Sequence, residues 1–200
     1  MTAGLLTAGG LFAGKTKPAD KWNARGYYEH IEIDYLLQAY LQAHDYQCRG
    51  KKFQPIHLDN DMPEFRSTVL QLISQDGLTT EPWLFKSTKT AICWRMWHKH
   101  FPNAKWVLIS RDKGKTLDSL ERAPFMDAYQ TRNEWSLMLD RYEIWMDGIR
   151  SSCDFHEFNV DEAIEGRGEC DRLFKYAGLK SDANEISNQF IERQLIHGKA

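Results

Sequence analysis

The segment Trp83–Ser119, WLFKSTKTAICWRMWHKHFPNAKWVLISRDKGKTLDS, constrains the fold of this chain more than any other. It reads as strand, helix, strand, and then a loop that could take a phosphate. Trp83-Leu84-Phe85 is a short apolar run ending at Lys86. Thr88–His100 carries Ile92, Cys93, Met96 and Trp97 on one helical face, and Pro102 cannot continue a helix. Lys105–Ser110, KWVLIS, is β-branched, aromatic and almost uncharged, the pattern of a strand buried on both faces in a parallel sheet. Arg111 and Asp112 follow directly. Ligands of open α/β sheets sit at the carboxyl ends of strands, so Arg111 stands where a ligand would be. Ser119, eight residues on, is expected in the first turn of a helix beginning near Thr116. A guanidinium fork and a hydroxyl beside helical N–H groups can share one phosphate. The alternative from pattern alone is an arginine that pairs with Asp112 or caps the sheet.

A length of 200 residues fits one domain, and 42% hydrophobic with 27% charged residues fits the soluble globular class. The net charge is −2 with no run of five like charges, which gives no support for a nucleic-acid or membrane-surface protein. Cys48, Cys93, Cys153 and Cys170 form no C-x-x-C pair and fit neither a zinc site nor a disulfide framework. Reduced thiols in the cytoplasm are the expectation. No apolar stretch approaches the ~20 residues of a membrane span. No basic segment precedes the small and apolar residues at the start, so the pattern is not that of a signal peptide.

Gly9 to Thr16 matches the Walker A spacing, with Gly14-Lys15-Thr16 at its end. A true P-loop follows a β-strand and opens an apolar helix. Here the preceding residues are rich in Ala, Leu and Gly, and the following Lys17–Lys21 is polar. Asn23–His30 reads as a loop turning at Gly26. Ile33, Leu36, Leu37, Tyr40 and Leu41 mark an amphipathic helix. Cys48–Lys52 is a polar loop and Pro55–Leu58 a short extended segment. Asp61 and Glu64 suggest a capping box before a helix with a Phe65, Val69, Leu72, Ile73 stripe, closed by Gly77. Arg95, His98, Lys99 and His100 form a basic, solvated helix end. Residues 122–130, RAPFMDAYQ, form a loop. Asn133–Ile149 is a long helix whose Trp135, Met138, Leu139, Tyr142, Trp145, Met146 and Ile149 face the core. Phe155–Val160 is a last strand. Gly166-Arg167-Gly168 is a turn, Gly178 stops a helix, and Ala183–Leu195 is a short amphipathic helix.

The stretch FPNAKWVLISRD, with Ser119 eight residues after Arg111, resembles the PAPS-dependent sulfotransferases, in particular the tyrosylprotein-type and bacterial ones. That group reads F-P-[DN]-A-K, an apolar run, then R-D. Lys86 takes the place of the lysine in the group's K-D-P motif, with Ser87 and Thr88 replacing Asp and Pro. AGLLTAGGLFAG and NARGYYEH are similar to the segments that follow the family's phosphosulfate loop, and Leu173–Leu179 is similar to its F-x-G-L helix end. On that alignment Met1 falls at or just after the end of the loop, which with its strand would be missing from the chain.

The resemblance implies a single sulfotransferase-like domain of the α/β class. Its plan would be a mainly parallel sheet of about four strands flanked by helices, as in P-loop nucleotide-binding proteins. It implies PAPS as co-substrate, no metal, and a small-molecule, glycan or peptide acceptor bearing a hydroxyl or amine. Arg111 and Ser119 would hold the 3′-phosphate, and Lys86 would balance charge near the transferring group. Glu29 would take the acceptor's proton, with His30 as the fallback base and a simple ion pair as the alternative role of Glu29. Two rival readings stand beside this one. The first is an ATP- or GTP-dependent P-loop enzyme using Gly9–Thr16, with Asp112 as its acidic residue and Mg²⁺ as its metal. The second is a non-catalytic domain that binds nucleotide or a protein partner.

Overall fold

The KWVLIS run forms strand β1 (Trp106–Ser110), and FHEFN forms β2 (Phe155–Asn159). They pair in parallel with Trp106 opposite Phe155 and Ser110 opposite Asn159. The computed structural model describes residues 1–21, 23–44, 61–78, 82–122 and 129–191. Side chains alternate across a strand, so the two faces of this small sheet address different surroundings. Trp106 and Leu108 enter one apolar core. Val107 and Phe158 enter the other. The sheet is thus the wall between two cores.

The larger core is built from helices. These are α2 (Ile31–Ala43), α3 (Phe65–Gln75), α4 (Lys89–Ile92), α5 (Trp94–His100), α6 (Lys113–Arg122) and α7 (Arg132–Ser152). Ile33, Leu37 and Leu41 of α2 and Phe65, Val69 and Ile73 of α3 are buried there, at the helical spacing that an amphipathic stripe requires. Trp97 is its aromatic centre: it stacks on Phe85 at 5.1 Å and meets Phe65 edge-on at 4.8 Å. Helix α7 begins with a capping box in which Thr131 and Glu134 satisfy each other's backbone donors. The smaller core joins α1 (Thr2–Ala8), α8 (Val160–Ile164), α9 (Glu169–Ala177) and α10 (Ala183–Phe190) around Phe158. Gly178 ends α9 in the left-handed region at φ +77°. Its N–H donates to Lys175, and the Leu179 N–H donates to Phe174, so two helix-end carbonyls are satisfied.

The α/β class holds, but among the described residues the chain is mostly helical and the sheet has two strands, not about four. Trp83-Leu84-Phe85 does not extend into a strand. It makes one parallel bridge, Trp83 to Phe12, with the Leu84 N–H donating to the Phe12 carbonyl at 2.9 Å. Burial of β1 on both faces is also incomplete: Ile109 is 46% exposed. The helix expected over Thr88–His100 is broken at Cys93, whose backbone leaves helical geometry. Asp61 caps nothing. It binds Lys99 at 2.5 Å and His100 at 2.8 Å, and α3 starts at Phe65 without a side-chain cap. Those two pairs also give the basic end of α5 an acidic partner. Among the described residues no helix is long and apolar enough to cross a membrane. The expectations for Cys48–Lys52 and Pro55–Leu58 lie outside the described residues, as do residues 123–128 of the RAPFMDAYQ loop and the end of the last helix.

Candidate functional site

Three short segments and one helix bring charged side chains together. Residues 15–17 run antiparallel to residues 27–31. The Lys17 N–H donates to Glu29 (2.9 Å), the Tyr27 N–H to Lys17 (3.3 Å) and the Ile31 N–H to Lys15 (3.0 Å), with a bridge between Thr16 and His30. Tyr28 lies in the left-handed region at φ 55°, which is unfavourable for a residue with a Cβ. The pairing around it holds the turn and sets Glu29 beside Lys17. Residues 83–85 are anchored by Phe12 and by the Phe85–Trp97 stack, which delivers Lys86 to the same place.

Glu29 accepts from Lys86 at 2.7 Å on one oxygen and from Lys17 at 3.0 Å on the other. The residues expected to be base and charge-balancing lysine, 57 positions apart in the chain, are therefore in direct contact. Lys86 also reaches the Tyr27 carbonyl at 3.4 Å. One turn into α2 lies Asp34, only 1% exposed. It accepts from Lys17 at 2.5 Å, Lys89 at 2.7 Å and the Ser87 hydroxyl at 2.8 Å. Burial alone would push the Asp34 carboxyl up. The Lys17, Lys89 and Ser87 donors more than reverse this and hold it below the usual range. Burial likewise works against the charge of Lys17, but its two carboxylate partners raise its pKa overall.

Nothing local in the sequence marks Asp34 as special. An acid in the first turn of an amphipathic helix reads as an ordinary favourable charge–dipole placement. Its partners lie 17 and 55 positions away. The available signal was the lysine density of Lys86-Ser87-Thr88-Lys89.

His30 is an N-cap. Its Nδ1 accepts from the Ile33 N–H at 3.3 Å, and its Nε2 sits 3.1 Å from Asp76. Gly14, at φ +67°, passes so close that a Cβ there would lie 2.6 Å from the His30 ring. Burial holds the His30 pKa below its ordinary value against the pull of Asp76. With its ring enclosed and one nitrogen committed to the cap, His30 is a structural residue here.

Arg111 stands apart from this cluster, at the carboxyl ends of the strands. Arg111 leaves β1 directly, and its Nε lies 3.9 Å from Asp161 at the start of α8. That Nε is buried with no hydrogen-bond partner. Asp161 is more firmly held by Lys115 at 2.8 Å and by the Asp112 N–H at 3.0 Å. The Lys115 ammonium and then the Asp112 N–H keep its carboxyl below the usual range. Helix α6 starts at Lys113, three residues before the expected Thr116, because Asp112 accepts from the Lys115 N–H and so caps the helix. Ser119 is therefore not in the first turn. It is an exposed residue one turn beyond Lys115, on the helix face shared by Asp112, Lys115 and Ser119.

The Gly9–Thr16 match lacks its required context. Helix α1 precedes Gly9, and Lys15-Thr16 runs into the extended pairing with residues 29–31 instead of opening a helix. The Lys15 N–H is taken by the Asp76 carboxylate.

The site thus has two parts: a lysine–carboxylate cluster around Glu29 and Asp34, and an arginine–aspartate group at the strand ends. No family profile, curated protein or solved structure matches this chain.

Proposed function

We propose that this protein transfers a sulfuryl group from PAPS to a hydroxyl or amine acceptor, on a P-loop-like plan. The observation that carries the reading is the 2.7 Å contact between Glu29 and Lys86. The resemblance gives the two residues roles in sulfuryl transfer from separate motifs, and their contact sets them in one place, as a simple ion pair, the alternative role of Glu29, would too. A second observation fits a nucleotide phosphate: the Arg111 Nε is a buried donor without an acceptor, at the end of the strand where a ligand would sit.

In this reading Arg111 and Ser119 hold the 3′-phosphate, with Arg111 supplying the charge-assisted contact. PAPS supplies the activated sulfuryl group. Lys86, half-exposed beside Glu29, stabilises negative charge as it develops at the transfer site. Glu29 is 14% exposed and each of its oxygens retains a lone pair, so it can take the proton from an acceptor hydroxyl as the new S–O bond forms and the bond from sulfur to the 5′-phosphate oxygen breaks, releasing adenosine 3′,5′-bisphosphate. The rival ATP- or GTP-dependent reading needs a strand before Gly9 and a helix after Thr16. The helix α1 and the extended residues 15–17 give it no support.

Calorimetric titration with adenosine 3′,5′-bisphosphate, run beside ATP with Mg²⁺, tests the reading. The expected result is bisphosphate binding that weakens at least about tenfold in Arg111→Ala, the loss of one charged hydrogen bond of roughly 1.5–3 kcal/mol. Absence of bisphosphate binding would overturn it. So would binding of ATP alone that is abolished by Lys15→Ala.

A further inference from the structure

Among the described residues Tyr28 is the one non-glycine with positive φ. Left-handed backbone is disfavoured about tenfold for a residue with a Cβ, and it persists only where its surroundings hold it. The residues on either side of Tyr28 are the two that receive Lys86. The Tyr27 carbonyl accepts from its ammonium at 3.4 Å and the Glu29 carboxylate at 2.7 Å. Both can face one ammonium only while the backbone between them keeps its turn. The pairing with Lys17 fixes the backbone of Tyr27 and Glu29 but leaves the Tyr28 side chain to find its support elsewhere.

That support comes from α10. The ring of Phe190, the last residue of that helix, lies 6.2 Å from the Tyr28 ring at 53°. The Arg25 guanidinium sits over the same Phe190 ring at 4.7 Å, a cation–π contact. Arg25 also donates to the Gln189 carbonyl at 3.3 Å, a cation at a helix C-terminus. One ring thus grips the Asn23–His30 loop at two points, Arg25 and Tyr28. Gly4 of α1 closes the third side. A Cβ there would run into the Phe190 ring and lie 2.9 Å from the Tyr28 ring, so a glycine lets both rings seat. The start of α10 is anchored as well. Asp182 accepts from the Asn184 and Glu185 N–H groups, and the Ser181 hydroxyl donates to the Gly9 carbonyl at 2.9 Å.

From this convergence we infer that Phe190 is a positioning residue: it holds Tyr28 in its left-handed turn and so keeps Lys86 on Glu29. The inference rests on the sulfuryl-transfer reading only for giving that contact a chemical role.

Acetylation by an N-hydroxysuccinimide ester, mapped by mass spectrometry on the folded chain, reads the contact without any nucleotide. The reagent takes the free amine, so a lysine held on a carboxylate reacts slowly. Phe190→Ala should speed modification of Lys86 by about three- to tenfold, as the turn loses what holds its disfavoured conformation. Lys89, held by Asp34, and Lys105, held by the Tyr176 carbonyl, should keep their rates. Gly4→Ala displaces the same ring from the opposite side while placing a better helix former in α1, and should give the same selective change. Tyr28→Gly removes the need for the support, and in that background Phe190→Ala should change the Lys86 rate by less than about twofold. Lys86 modification that is unchanged in Phe190→Ala and Gly4→Ala would overturn the inference. So would acceleration shared by Lys89 and Lys105, the mark of general loosening, or a full Phe190→Ala effect that survives in Tyr28→Gly. If Phe190→Ala does not fold, Gly4→Ala decides. Failure of adenosine 3′,5′-bisphosphate to bind while Lys86 responds selectively would sink the sulfuryl-transfer reading and leave the role of Phe190 standing.

Discussion

Two aspartates organise the charged side chains of this protein in the same pattern and at different depths. Asp34 lies between Lys17 and Lys89 and is 1% exposed. Asp161 lies between Lys115 and Arg111 and is 20% exposed. Each has its carboxyl held below the usual range, but the order of causes differs. For Asp34, burial is the largest influence and opposes ionisation; three hydrogen bonds overcome it. For Asp161, hydrogen bonds lead and burial is minor. The first arrangement is committed: remove a partner and a desolvated charge is stranded. The second is only half-buried, and Asp161 keeps the closer Lys115 and Asp112 donors whatever Arg111 does. Depth, more than the number of partners, separates a committed buried charge from one whose loss costs little.

The largest effect that would break this contrast is on stability. Asp34→Ala leaves Lys17 and Lys89 without their shared acceptor, and breaking a buried pair from one side typically costs about 3–5 kcal/mol. Because both lysines retain some exposure, the low end, about 3 kcal/mol, is expected in urea denaturation. Asp161→Ala should cost about 1 kcal/mol or less, as for exposed pairs. Equal losses in the two variants would show that depth does not distinguish them.

Acid titration of stability sharpens the same contrast. Both carboxyls titrate lower in the folded chain than in the unfolded one. Each therefore contributes stability that is present above the unfolded value near pH 4 and lost as pH falls through the lower folded value. Asp34→Asn should flatten the stability curve below about pH 4 by more than Asp161→Asn does. Superimposable curves for the two variants would contradict the difference in depth.

The contrast also explains what the sequence made legible. Local patterns carried through wherever one element supplies its own reason. Helix α2 follows its apolar stripe, α7 runs Arg132–Ser152 where the pattern gives Asn133–Ile149, β1 falls on KWVLIS and β2 within Phe155–Val160, and Gly178 stops α9. Arg111 at a strand end was readable for the same reason, since strand and charge are adjacent in the chain. Patterns failed where another side chain, distant or local, took the contact. Asp61 had the spacing of a cap, but Lys99 and His100 of α5 took its oxygens. Helix α6 began early because Asp112 capped it, which moved Ser119 out of the first turn. Asp34 was invisible because nothing within its own helix marks it as buried. Its burial depends on three donors contributed by residues 17, 87 and 89.

The smallest expected effect concerns His30, which sits beside the Asp34 cluster but carries no compensating excess of partners. Burial lowers its pKa below the ordinary imidazole value near 6.5. Its contribution to stability is therefore complete above about pH 6.5 and declines as pH falls toward the lower folded value, a window distinct from that of the two aspartates. The capping contact limits what is lost. Protonation of Nδ1 removes the acceptor for the Ile33 N–H, a cap of about 1 kcal/mol, while Asp76 at 3.1 Å partly offsets the new charge. His30→Asn retains a capping acceptor without titrating. It should abolish the decline in stability that begins as pH falls below about 6.5 and leave the loss below pH 4 intact. Urea melts at half-unit pH intervals separate the two windows. A step that persists in His30→Asn would assign it to another group. Disappearance of both steps would mean that the Asp34 cluster depends on the His30 ring for its position.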